Sequence, residues 1–195
     1  ISRDCSYSSN CLSCPKNMRL ILPLLILLTG CAGKALQSDR IHKRELKIPE
    51  KKKAQNVVFV PQIKDHCGPA TVSMAFDWVG VEISPQKAAQ EVFTPGAKGT
   101  YQMDVISASR RYGLMALKVT SMEDLLLELS KGTPVVVFQN LGFDWYELWH
   151  YSLVTGYDLG KRELLLNSGK EQDTRLSFDK FERGWKRGGY WGVVL

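Results

Sequence analysis

One cysteine and one histidine form the pair in this chain best placed to do chemistry together. Cys67 lies in Asp65-His66-Cys67-Gly68-Pro69-Ala70, where an extended segment runs into a helix. A helix N-terminus carries partial positive charge and unpaired N–H groups, and both favour a thiolate over a thiol. The competing reading is a small buried core residue, which free cysteine often is, and position alone leaves the two even. A nucleophilic cysteine needs a base held by a third group. The chain has three histidines. His42 sits in a charged stretch, and His66 adjoins Cys67, from which its side chain diverges. His150, inside Trp149-His150-Tyr151-Ser152-Leu153-Val154, is the remaining candidate.

The third group follows from counting. With Asp158-Leu159-Gly160-Lys161 as a hairpin turn, His150 falls roughly opposite Asn167 on the returning strand. Facing residues of an antiparallel pair bring their Cβ atoms to about 4.5–5.5 Å. An amide oxygen there can fix the imidazole's tautomer and orientation. Asp158 is the rival, although it lies at the turn end. Gln62, five residues before Cys67, could place its side-chain amide beside the Cys67 N–H as a donor for a developing oxyanion. Taken alone it reads as a surface-loop glutamine.

The elements that must position these residues come in two groups. Cys67 to Trp78 reads as a helix with Pro69 in its first turn. A second helix opens at Ser84-Pro85. A third spans 100–111 and ends before Gly113. A fourth starts at Ser121 and Asp124, a capping-box-like pair. Val57 to Pro61 reads as a short extended segment, and Met115 to Thr120 as a strand. Strands then follow at Pro134–Phe138, Leu148–Tyr157, Arg162–Asn167, Thr174–Ser177 and Tyr190–Val194, with a short helix over Phe178–Lys186. Helices first and an antiparallel meander second define an α+β fold, with N-terminal helices packed on an antiparallel sheet. The aromatic run Phe143-Asp144-Trp145-Tyr146-Glu147-Leu148-Trp149 reads as core and cleft wall.

The N-terminal third reads as targeting. Met18-Arg19, an apolar run and Leu28-Thr29-Gly30-Cys31 have the form of a secretory signal at 18–30, with an apolar run too short for a comfortable membrane span. Leu28 to Cys31 resembles a bacterial lipobox, which implies cleavage before Cys31, lipid on its sulfur, and export to the cell envelope. Ala32 after the cysteine points to the periplasmic face of the outer membrane. The alternative is an ordinary signal that happens to carry a cysteine. Residues 1–17 fit neither signal nor fold and read as an over-extended gene start. Their Cys5, Cys11 and Cys14 lack a fourth ligand for a metal site. From Lys34 to Lys53 there are eight Lys or Arg against three Asp or Glu. This excess makes most of the chain's net charge of +6, and residues 31–56 read as a flexible basic linker, either simply solvated or drawn to anionic headgroups.

Of the five cysteines, three lie in 1–17 and one is Cys31, so the domain at 57–195 holds Cys67 alone. An unpaired thiol in an oxidising compartment raises the prior for catalysis. No basic-aromatic stripe points to nucleic acid, and no motif for a nucleotide, metal or other cofactor is present.

Together, Val60-Pro61-Gln62 with Asp65 to Ala70, and His150 to Asp158, resemble the two signature segments of the bacteriocin-processing, double-glycine-leader cysteine peptidases. Asn167 sits where that family usually has Asp. The resemblance covers about Val57 to Leu195. It implies a papain-like fold, with Cys67 as nucleophile, His150 as base, Asn167 as its orienting group and Gln62 as oxyanion donor, acting on a peptide or protein substrate. Well-known members are front domains of peptide exporters, whereas this sequence shows no nucleotide-binding motif and no membrane bundle, so double-glycine leaders are not assumed as substrate. A cell-wall amidase or transpeptidase, and a non-catalytic peptide-binding module on a degenerate peptidase fold, are the competing readings.

Overall fold

The computed structural model describes residues 35–43 and 46–195. The expected gene-start extension, the signal at 18–30 and the lipidation site Cys31 lie outside them.

Helix α1 spans Leu36–Lys43 and strand β1 spans Lys51–Lys53. The segment expected as a flexible linker is therefore part of the fold over most of its described length. Its anchors come from far along the chain. The carboxylate of buried Glu182 accepts the N–H groups of Gln37 at 2.9 Å and Ser38 at 2.6 Å. The Gln37 side-chain oxygen accepts the Met122 N–H at 2.7 Å. Helix starts leave such N–H groups without internal partners, and a carboxylate offers them a charged acceptor.

The other elements follow the expected order: α2 Cys67–Trp78, α3 Pro85–Val92, a 3₁₀ turn Pro95–Ala97, α4 Gln102–Arg111, β2 Leu117–Val119 and α5 Met122–Lys131. Then come β3 Val135–Asn140, β4 Trp149–Asp158, β5 Glu163–Ser168, β6 Glu171–Ser177, α6 Phe178–Arg187 and β7 Gly192–Val194. The caps that mark the helix starts form: Ser84 Oγ accepts the Lys87 N–H, and Ser121 Oγ accepts the Asp124 N–H, both at 3.1 Å. Val57 to Pro61 runs without strand pairing, and Val57, Phe59 and Val60 pack on the core instead.

The sheet is antiparallel, in the order β2-β7-β3-β4-β5-β6, with β1 added to β4. β3 to β6 form the expected meander, but the last strand, β7, inserts between β2 and β3. Side chains alternate across the pleat, and both faces are covered. Val136, Leu153 and Val193 face α2 to α4, where Phe76, Ala88 and Val105 are buried. Val135, Val137, Leu164 and Leu166 face α5 and α6, where Leu125, Leu129, Phe181 and Trp185 are buried.

Candidate active site

The site forms where β5 parts from β4. Their pairing begins at Asp158↔Glu163, shifts between Val154 and Gly156, and ends at Leu153↔Asn167. Gly156 sits at this irregularity because β1 passes close by: a Cβ there would lie 2.5 Å from the Lys52 carbonyl oxygen. Beyond Leu153, the backbone of Tyr151 faces an edge that β5 has left. Two chain segments fill the gap. The Tyr151 N–H lies near enough to Cys67 to pull its thiol pKa down, and the Tyr151 carbonyl accepts a long 3.5 Å bond from Gln62 Nε2. The Gln62 N–H donates to Gly169 O at 2.8 Å, which ties the loop before α2 to the end of β5.

Cys67 is the first residue of α2, as its sequence context predicts. The helix start packs tightly: a Cβ on Gly68 would run into Thr100 Oγ1, so glycine lets the loop before α4 close over it. The thiol sits near the backbone N–H of the residue that follows His150. Its electrostatics differ from the expected thiolate. Burial pushes the Cys67 thiol up, outweighing the N–H groups of Tyr151, Gly68 and Cys67 that pull it down, while the Asp65 carboxylate adds to the rise. Burial also pushes His150 below its ordinary value. Both shifts favour the uncharged form of each group.

The structure gives His150 a different neighbour from the one the count along the sequence suggests. His150 Nε2 meets Ser168 Oγ at 2.8 Å, and Ser152 Oγ donates to the same oxygen at 3.2 Å. Asn167 points to the opposite face: its Nδ2 lies 3.8 Å from Met74 Sδ on α2, and its Oδ1 accepts the Asp173 N–H at 3.2 Å. The cause is register. From Asp158↔Glu163 an uninterrupted ladder would already set Asn167 across from Val154, short of His150, and the shift at Thr155 moves it to Leu153 and so to the other face. Changing position along a strand by one residue turns a side chain to the other face. The rival Asp158 is at the far end of β4, where Oδ1 accepts the Lys161 N–H of the turn at 2.9 Å. Ser168 escaped the sequence reading, although a glycine inside a strand pattern is a bulge signal and Gly156 carried it.

A cavity of 390 Å³ opens beside the thiol. Cys67 shares its wall with Phe138, Trp149 and Tyr151 from the sheet, and with Lys98 and Tyr101 from the loop before α4. Of the aromatic run before His150, Trp149 reaches this wall. Phe143, Trp145 and Tyr146 are exposed rather than core. Among the described residues, no group of three His, Cys, Asp or Glu side chains could hold a metal ion.

A helix that delivers a cysteine to the edge of an antiparallel sheet, next to a strand histidine, is the arrangement of a papain-like cysteine peptidase. The model of the Peptidase_C39-like family matches residues 54–193, and the chain belongs to that family. The fold is similar to that of a protein described as a C39-like peptidase from Bacillus anthracis, at 18% identity and a TM-score of 0.61, over 74% of this chain and 96% of that one. It is also similar to a double glycine motif protease from an AMS/PCAT transporter, solved with the leader peptide, at 17% identity and TM-score 0.56, over 73% and 96% of the two chains. The peptidase domain of Streptococcus ComA, a bi-functional ABC transporter of a quorum sensing pathway, aligns at 21% identity and TM-score 0.57, over 71% and 97%. At these identities the likeness is one of fold. No curated protein matches the chain.

Proposed function

We propose that this protein is a cysteine peptidase, exported and lipid-anchored through Cys31 at the periplasmic face of the outer membrane. The convergence of Cys67 and Gln62 on the backbone of Tyr151, directly beside His150, carries the catalytic part. The sequence from Met18 to Cys31 supports the anchor.

In the tautomer that donates Nε2–H to Ser168, Nδ1 of His150 is the free base. It takes the proton from the Cys67 thiol as sulfur attacks the peptide carbonyl carbon. Charge develops on the carbonyl oxygen, where the Gln62 amide and the Cys67 N–H are the donors within reach. His150 then gives its proton to the departing amine, leaving a thioester on Cys67. Water, deprotonated by His150, attacks that thioester, releases the acid and restores the thiol. With burial shifting both groups toward their uncharged forms, His150 acts in this scheme as a general base during attack, not as the partner of a standing thiolate.

Incubation of the protein from Ala32 onward with denatured casein tests this directly. Time-dependent cleavage that vanishes in Cys67→Ala and His150→Ala variants of unchanged fold is the expected result. Casein that stays intact while still binding the protein would replace the peptidase with a peptide-binding module on the same fold. For the anchor, metabolic labelling with a palmitate analogue that is lost in Cys31→Ala is expected; labelling that survives the substitution would exclude it.

A further inference from the structure

We infer that the cavity beside Cys67 is a specificity pocket for a bulky apolar side chain, aromatic or long aliphatic, next to the scissile bond. This rests on the peptidase reading above. Cys67 is part of the cavity wall, so whatever fills the cavity lies within a residue or so of the bond that Cys67 attacks. Its volume of 390 Å³ falls in the roughly 300–1,000 Å³ range of cavities that hold small ligands. A glycine would leave that space to water.

The walls favour flat apolar groups. Phe138 and Trp149 lie parallel, with ring centroids 5.0 Å apart and planes 11° from each other. Phe138 also meets Tyr151 at 4.7 Å. The stack comes from strand register, because Phe138 faces Tyr151 across β3 and β4 and Trp149 is two residues along on the same face. A side chain entering here meets ring faces and edges, contacts that add to burial. Charge is confined to Asp65 and Lys98. Both residues have left-handed backbone, φ +63° and +48°, and they belong to the loops before α2 and α4. Since these loops flank the thiol, the substrate backbone runs between them while its side chain points onto the aromatic wall.

The test is cleavage-site profiling of the protein on denatured casein and serum albumin, with new termini read by mass spectrometry. The expected profile has Phe, Tyr, Trp, Leu or Met enriched at one position flanking the cut. Matched synthetic peptides with glycine at that position should be cleaved at least about tenfold more slowly. Trp149→Ala removes one wall from a residue that is 44% exposed; it should erase most of that preference while the protein remains folded. In parallel, binding of the same peptides to Cys67→Ala is measured by calorimetry, which needs no turnover. Cleavage with glycine tolerated or preferred at every flanking position would overturn the pocket and leave the peptidase standing. Absent cleavage with tighter binding of the aromatic peptides to Cys67→Ala would keep the pocket and remove the peptidase. Peptides bound and cleaved without regard to side chain, or not bound at all, would also overturn it.

Discussion

His150 is held by Ser168, not by its sequence neighbour Asn167. The 2.8 Å contact from Nε2 to the serine hydroxyl orients the ring, and Ser152 steadies that hydroxyl from the other side. Replacing an orienting partner of a functional histidine commonly costs about 10–100-fold, as it does at metal sites. Ser168→Ala should lower kcat by about that factor with little change in KM. Ser168→Thr, which keeps the hydroxyl, should recover most of it. Steady-state kinetics on the best casein-derived peptide reads both values. If Ser168→Ala leaves kcat unchanged, the ring needs no such support.

Asn167 should behave as a structural residue. Its amide is buried between Met74 and the Asp173 N–H. Asn167→Ala should destabilise the fold by about 1–3 kcal/mol, the usual cost of unpairing a buried polar group, as measured by urea unfolding. The kcat of the remaining folded fraction should stay within a few-fold of wild type. A loss of kcat exceeding that of Ser168→Ala would return the orienting role to Asn167.

The two burial shifts have a defined pH signature. The Cys67 thiol is raised and the His150 ring lowered, both by burial. Iodoacetamide should therefore label Cys67 slowly at pH 6, with a rate still rising above the ordinary thiol value of about 8.5. Peptidase activity needs unprotonated His150, so its acid limb should fall below the ordinary histidine value of about 6.5. Stability follows the same signs. The lowered histidine costs stability as pH falls below about 6.5, because the unfolded chain takes up the proton first. The raised thiol costs stability as pH climbs past its unfolded value, because the unfolded chain releases the proton first. Fast labelling below pH 7 that slows in His150→Ala would instead show a standing ion pair.

Glu182 should govern the seating of α1. Glu182→Ala leaves the Gln37 and Ser38 N–H groups and the Tyr190 hydroxyl without their acceptor. A loss of about 2–4 kcal/mol is expected in urea unfolding, by the cost of unpaired buried donors. Hydrogen exchange should show α1 opening while α2 stays protected. Unchanged exchange in α1 would mean that its apolar contacts suffice.

Gly156→Ala tests the close approach of β1. The new Cβ meets backbone, the Lys52 oxygen, which cannot rotate away. The strand must shift or detach, at a cost of about 1–3 kcal/mol. Thermal melting reads the loss; an unchanged midpoint would show that β1 gives way freely.

Much of this was legible in the chain. Ser84, Ser121, Pro69 and Gly113 mark helix ends through local chemistry, and those helices form within a residue or two of the expected bounds. Cys67 and His150 could be paired because few other residues could do the same work. Two things were not legible, for one physical reason: they depend on contacts across long stretches of sequence. The seating of α1 is decided by Glu182, 144 residues after Ser38, while Leu36 and Ile41 among charged neighbours give too sparse a pattern to announce a packed helix. The exchange of Ser168 for Asn167 turns on the register shift at Thr155. A single added residue there moves the partner and reverses the face, and a count along the sequence does not register it.

The lysine run at 51–53 has one more consequence. These side chains lie exposed on β1, which pairs with β4 and with no other described strand. A free strand edge invites a second copy to dock along it and begin a fibre or an open-ended stack. Two copies meeting edge to edge at β1 would bring three lysines against three, with facing side chains at roughly 5 Å. Lys53 is balanced by Asp173 at 2.6 Å, while Lys51 and Lys52 would meet like charge. Charge that looks like part of a solvated linker would thus work against self-association through β1.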